Sequence, residues 1–81
     1  MYRNSLATAM EEVCGDYIVS LDRAYSGYTD SYDYYITIMD DMCEEVYTED
    51  VSAMPENKRV QRFQEIYNAL LFGDFDFMEV A

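Results

Sequence analysis

The chain has no histidine, a single proline, three glycines, two cysteines and only five lysine or arginine residues in 81. Without histidine, Cys14 and Cys43 cannot complete a usual structural zinc site, and the Glu-x-x-His pairs of carboxylate-bridged di-metal bundles are absent. There is no Ser–Gly elbow and no glycine-rich phosphate loop, and Lys58 is the only lysine. General acid–base work falls to carboxylates, and those on solvated faces titrate normally. The chain therefore reads as a non-enzyme with no cofactor. No apolar run is long enough to span a bilayer. Met1 to Met10 lacks the apolar stretch of a secretory leader and runs straight into Glu11 and Glu12. The expected location is the cytoplasm, that of the host cell if the protein is phage-encoded.

The shortage of cations is the strongest signal. Seventeen acids against five bases give a net charge of −12 and a pI near 4.1. Direct binding of DNA, RNA or an anionic membrane needs cationic patches, which this balance does not supply. It suits a basic partner, a cation, or plain solubility. The apolar fraction of 51% with 16% aromatics is enough for the core of one small domain covering residues 1–81. Cys14 and Cys43 each fall beside an apolar stripe and read as buried thiols rather than a disulfide.

Between Arg23 and Lys58 there is no cation, and the interval holds nine acids: Asp30, Asp33, Asp40, Asp41, Glu44, Glu45, Glu49, Asp50 and Glu56. Like charge gathered this way opposes compaction, so it points to a partner that wants a negative surface. The same interval carries Tyr25, Tyr28, Tyr32, Tyr34, Tyr35 and Tyr47.

Apolar residues recur at helical spacing in three stretches. In the first, Leu6, Ala9, Met10, Val13, Tyr17, Ile18, Leu21 and Ala24 form a stripe. Asn4 or Ser5 is its cap, Gly15 and Val19 lie on its outer side, and Gly27 stands just past its end. A turn follows, with Thr29, Asp30 or Ser31 as cap. In the second stretch, to about Tyr47, the stripe is Tyr35, Met39, Met42 and Val46, widened by Tyr32, Ile36 and Cys43. Tyr34 to Ile38 has strand propensity taken alone, but the continuing stripe argues helix. The third begins at Pro55 and Glu56, lines up Val60, Phe63, Ile66, Tyr67, Leu70 and Leu71, and ends at Gly73. Lys58, Arg59 and Arg62 in its first half are expected to pair with acids elsewhere. The tail from Asp74 to Val80 alternates acid and apolar, with Phe75 and Phe77 docking on an apolar surface or on a second copy. The expected fold is all-α, a small three-helix domain with a short acidic and aromatic C-terminal tail.

Two groups of acids could gather oxygen ligands, Asp40, Asp41, Glu44 and Glu45, and Asp74, Asp76 and Glu79. Neither has the loop spacing or glycine of a calcium hand, so no functional metal site is expected. The acids also fit imitation of nucleic acid. Eight of them lie between Asp30 and Asp50; as continuous helix that stretch spans roughly 30 Å, about one charge per 4 Å. One strand of duplex DNA carries a phosphate about every 3.4 Å. Against this stands the reading that the acids are a solvated face and the tyrosines simply core with a wet hydroxyl.

Tyr34-Tyr35, Ile38 and Met42, then an acidic connector, then Met54-Pro55, Lys58, Val60, Arg62, Gln64, Ile66-Tyr67 and Leu70 resemble the Ocr family of phage antirestriction proteins, which mimic DNA. The resemblance covers about Tyr34 to Leu70. It implies a mostly helical, strongly acidic, dimer-forming protein that occupies the DNA channel of type I restriction–modification enzymes. The present chain is shorter, less charged and lacks the family's long acidic C-terminal tail. No catalytic residue carries over; the matching feature is the acidic surface from Tyr34 to Glu56.

The leading expectation is a phage-type inhibitor that presents carboxylates where phosphates go, in a nucleic-acid-binding host defence protein with a cationic channel, either restriction–modification or CRISPR. The partner-binding residues expected are Asp30, Asp33, Asp40, Asp41, Glu44, Glu45, Glu49, Asp50, Tyr28 and Tyr32. The alternative is an interaction module that binds a protein through Tyr25, Tyr28, Phe75 and Phe77, its charge serving solubility. A homodimer is compatible with either.

Overall fold

Val19 is fully buried and Val13 is 66% exposed, the reverse of what a helical stripe through the first stretch requires. The computed structural model describes residues 6–28 and 30–78, and its first four elements are strands. They are β1 (Leu6–Cys14), β2 (Tyr17–Ser26), β3 (Ser31–Met39) and β4 (Glu45–Asp50). One helix, α1 (Glu56–Phe72), and a short 3-10 turn at Asp76–Met78 follow. The expected all-α, three-helix architecture is thus replaced by a four-stranded antiparallel sheet in the order β1-β2-β3-β4, with one helix packed on it. The helical fold that the Ocr resemblance implies is likewise not the fold of this chain.

The reason is that period two outweighs period 3.6 where the chain is richest in β-branched and aromatic residues. Val19 pairs with Ile38 and Leu21 with Ile36, and all four are buried. Alternate residues Ile18, Ser20, Asp22 and Ala24, with Thr37 and Tyr35 opposite, form the other face. The helical reading took one residue from each face in turn. Tyr35, Met39, Met42 and Val46, its second stripe, are all partly or largely exposed.

Turn chemistry supports the strands. Between β1 and β2 the two-residue connection is Gly15-Asp16, with Gly15 at φ +60°. Positive φ at the first central residue is the pattern of a tight hairpin turn that glycine serves best. The 27–30 connection leads to β3, and there Asp30, not Gly27, takes the left-handed conformation, at φ 53°. Between β3 and β4, Cys43 at φ 63° closes a loop in which Asp40 N–H donates to the Glu44 carbonyl at 2.9 Å. Cys43 is therefore exposed, not buried as expected, whereas Cys14 is buried. The Cys14 thiol lies 3.6 Å from the Tyr67 carbonyl, and its pKa is pushed up by burial first and by Glu12 second.

Gly15 offers a direct test of the hairpin. Inside a helix, Gly15→Ala would stabilise by about 1 kcal/mol. In this turn the added Cβ has open space around it but meets the backbone penalty of positive φ, about 1–2 kcal/mol. The expected result is a lower urea midpoint for Gly15→Ala; a higher one would refute the turn.

The helix stands where its apolar spacing placed it. Pro55 precedes it with φ −67° and ψ 164°, and Gly73 follows it in the left-handed conformation. Gly73 N–H donates to the Leu70 carbonyl and Asp74 N–H to that of Ala69, at 3.2 and 2.8 Å, which satisfies the last carbonyls. Phe63, Ile66 and Leu70 are buried against Val19, Leu21, Ile36, Ile38 and Val51. Val60 and Leu71, expected on the same face, are 36% and 56% exposed. The tail docks on its own chain: Phe77 meets Tyr47 edge-on with ring centroids 5.3 Å apart, and Phe75 meets Tyr17 at 5.8 Å. Asn4, Ser5, Thr29, Glu79 and Val80, named above as caps or tail residues, lie outside the described residues. No helix of the described residues is long and apolar enough to cross a membrane.

Candidate functional site

Helix α1 covers only one face of the sheet, so the residues between the buried positions point away from it. Cross-strand pairing lays them out in rows. One row runs Thr8, Asp22, Tyr35, Asp50; the next runs Glu11, Ser20, Thr37, Thr48. Asp33 lies two residues from Tyr35 on the same face. Asp22, Asp33 and Asp50 thus surround the Tyr35 side chain. The Tyr35 phenol is pushed up from its ordinary pKa by burial first, and then by the charges of Asp33 and Asp50.

The Asp22 carboxylate is held in place. It accepts from the Thr8 hydroxyl at 2.8 Å and from the Ser20 hydroxyl at 3.2 Å. Asp50 accepts from the Ser52 backbone N–H at 2.9 Å, and Ser52 holds its carboxyl below the ordinary carboxylate range. Among the described residues no cation lies on this face. Arg23 leans on Tyr32 on the helix side, and Lys58, Arg59 and Arg62 are on the helix itself.

The residues expected to bind a partner are dispersed by the fold. Asp33 and Asp50 lie on the uncovered face. Asp30 lies at the β2–β3 connection, where it accepts from the Tyr25 hydroxyl, an interaction that raises the Tyr25 pKa. Tyr28 stands there fully exposed. At the far end of β3, Asp41 and Glu44 are exposed in the connection and Glu45 opens β4. Asp40 braces that connection, its Oδ1 accepting from Met42 and Glu44 N–H at 2.9 Å each. Tyr32 is on the helix side, edge-on to Tyr25 at 5.5 Å. Sequence reasoning passed over Asp22 and Glu11 because it placed them on the outside of a helix away from the acidic interval. The alternation Ile18-Ser20-Asp22-Ala24 against Tyr17-Val19-Leu21 was the signal that could have found them.

Glu49 does not belong to this surface. It faces the helix, where its oxygens accept from Arg62 Nε at 2.8 Å and Nη2 at 2.9 Å, and from the Tyr47 hydroxyl at 2.6 Å. This bidentate pair holds the Glu49 carboxyl below its ordinary range, against the opposing effect of burial, and raises Arg62 further. Because the folded pKa of Glu49 is depressed, the pair contributes stability above the unfolded value of about 4.3, and that stability is lost as pH falls through the folded value. Glu49→Gln is expected to lower stability by about 1–2 kcal/mol at pH 7, discounted for partial exposure. The gap to wild type should close as pH drops below about 4. Urea midpoints across pH check this, and parallel profiles would rule out the linkage.

No three ligating side chains among the described residues gather to hold a metal ion. Of the aromatics expected to bind a partner, Tyr25, Tyr28 and Phe75 are exposed, whereas Phe77 is partly buried against Tyr47; Tyr32 and Phe72 are exposed as well. Comparison with known protein families, with curated proteins and with solved structures finds no match.

Proposed function

We propose that the protein is an acidic decoy that occupies the cationic nucleic-acid channel of a bacterial defence complex, of the restriction–modification or CRISPR kind. The observation that carries this reading is the segregation of charge. An uncovered sheet face bears Asp22, Asp33, Asp50 and Glu11 without a cation among the described residues, while Arg23, Lys58, Arg59 and Arg62 are on the helix side. From Asp30 to Asp40 the chain runs roughly 33 Å along β3, about one turn of duplex DNA. Asp30 lies at one end and Asp40, Asp41 and Glu44 at the other, so the acids border this length as well as crossing it.

The extended backbone changes the geometry of mimicry. A helix would set the acids in a line; the sheet spreads them in two dimensions, strands about 4.8 Å apart and same-face neighbours about 6.7 Å apart. Hydroxyls of Thr8, Thr37 and Thr48 fill positions between, while Ser20 is buried. Such a surface meets a cationic groove over an area rather than along an edge, and the fixed Asp22 carboxylate needs little reordering to do so.

The test is capture from bacterial lysate on the tagged protein, with duplex DNA as competitor. Release of a nucleic-acid enzyme by DNA at modest salt is the expected outcome. A partner that stays bound under excess DNA, or that ignores salt, overturns the decoy reading and directs attention to Tyr25 and Tyr28.

A further inference from the structure

Four of the five cations lie among the described residues, and only Arg62 has a carboxylate within ion-pair distance there. In a chain with 17 acids, guanidinium groups left without one are the anomaly. Arg23 and Arg59 line one cleft between β1–β2 and the first turns of α1, of about 340 Å³. Its apolar lining comes from Met10, Leu21 and Val60, and Tyr34 forms a wall. Glu56 also borders the cleft yet pairs with neither arginine.

Both guanidiniums are held by ring faces. Arg59 lies 3.7 Å from the Tyr34 ring centroid and Arg23 4.7 Å from that of Tyr32. Arg59 is fixed further by donating to the Met54 carbonyl at 2.6 Å. Arg23 is the cross-strand partner of Tyr34, so strand and helix each contribute one arginine to the lining of the same cleft. Stacking on a ring uses the face of a guanidinium and leaves its edge donors for a ligand.

We propose that this cleft is a second binding site, for a small anion in which a carboxylate or phosphate is joined to an apolar or aromatic group. The anionic end takes the in-plane donors of Arg23 and Arg59, a geometry suited to planar or multi-oxygen acceptors. The apolar end lies on Met10, Leu21 and Val60. The volume falls in the range of small-molecule sites. The cleft opens on the helix side, across the sheet from Asp22, Asp33 and Asp50, so it stands or falls independently of the decoy reading. The net charge of −12 opposes an anion at long range, but physiological salt screens this beyond about 8 Å.

The experiment is an NMR titration of the full chain at about 0.15 M salt, following the arginine Nε–H signals. The probes are phenyl phosphate, benzoate and inorganic phosphate. Phenyl phosphate or benzoate is expected to shift Arg23 and Arg59 saturably, and which of the two binds tighter identifies the anionic group. Inorganic phosphate, with no apolar part to bury, is expected to bind about tenfold more weakly. Arg23→Gln, at an exposed position, should keep the fold and abolish the shift at Arg59; Arg59→Lys provides a second variant that retains charge but loses the fork. Three results overturn the proposal: no saturable shift by about 20 mM, undiminished binding by Arg23→Gln, or equal affinity for inorganic phosphate.

Discussion

Phe63→Ala is expected to remove most of the stability of this protein. Phe63 is the largest fully buried side chain, and α1 places it in one core with Val19, Leu21, Ile36 and Ile38. Truncating a buried phenylalanine costs about 3–5 kcal/mol, part lost transfer energy and part cavity. A domain of this size has roughly 4–12 kcal/mol in total. The thermal midpoint should fall by about 15–30 °C, read by circular dichroism. Val13→Ala, at an exposed site, should stay within about 0.5 kcal/mol, while Val19→Ala should cost about 2 kcal/mol or more. A variant Phe63→Ala that melts like the wild type would mean that the helix does not seal the sheet.

The second large effect concerns binding. Asp22→Asn, Asp33→Asn and Asp50→Asn together are expected to weaken the captured partner's affinity by about 10²–10³-fold, since close charge pairs at interfaces couple by about 1.5 kcal/mol or more. The amides keep shape, and the amide oxygen introduced by Asp22→Asn can still accept from a hydroxyl, so the fold should survive and relief of repulsion should offset any loss. The dependence of log affinity on log salt should become shallower with each charge removed, as it does when phosphate contacts are lost from DNA complexes. Glu49→Gln is the internal control: its carboxylate is spent on Arg62 and its removal should leave affinity unchanged. An unaltered affinity for the triple variant would sink the decoy reading, and a large loss from Glu49→Gln alone would relocate the contact to the helix side.

The sequence made the helix legible because Phe63, Ile66 and Leu70 repeat cleanly between Pro55 and Gly73, with polar residues intervening. The strands were not legible for a specific reason. Ile18 beside Val19, and Tyr35 beside Ile36, place apolar residues on both faces of the sheet, so a period of two blurs into spacings of three and four. Only pairing across β2 and β3, which no local window contains, separates the fully buried Val19 and Ile38 from the half-buried Ile18 and Tyr35 on the other face. The site suffered the same loss. Asp33 and Asp50 were found because they belong to the cation-free interval, whereas Asp22 joins them only through the register of Asp22 with Tyr35. Glu49 was misplaced because nothing in its neighbourhood announces Arg62, which reaches it from the helix.

Every strand pairs with its neighbour in sequence, across connections of only a few residues, and this has a consequence for how the molecule is made. Such local wiring keeps the entropic cost of each ring closure small, and chains of this kind fold faster than β proteins with distant pairings. During synthesis β1, β2 and β3 can assemble before α1 has left the ribosome. Until then Val19, Leu21, Ile36 and Ile38 form a bare apolar sheet, the kind of surface on which nascent chains stick to one another. Twelve of the acids precede Pro55, so mutual repulsion keeps these half-built sheets apart until the helix emerges to cover them. Removing the charges that meet a partner would therefore be expected to lower the soluble yield as well.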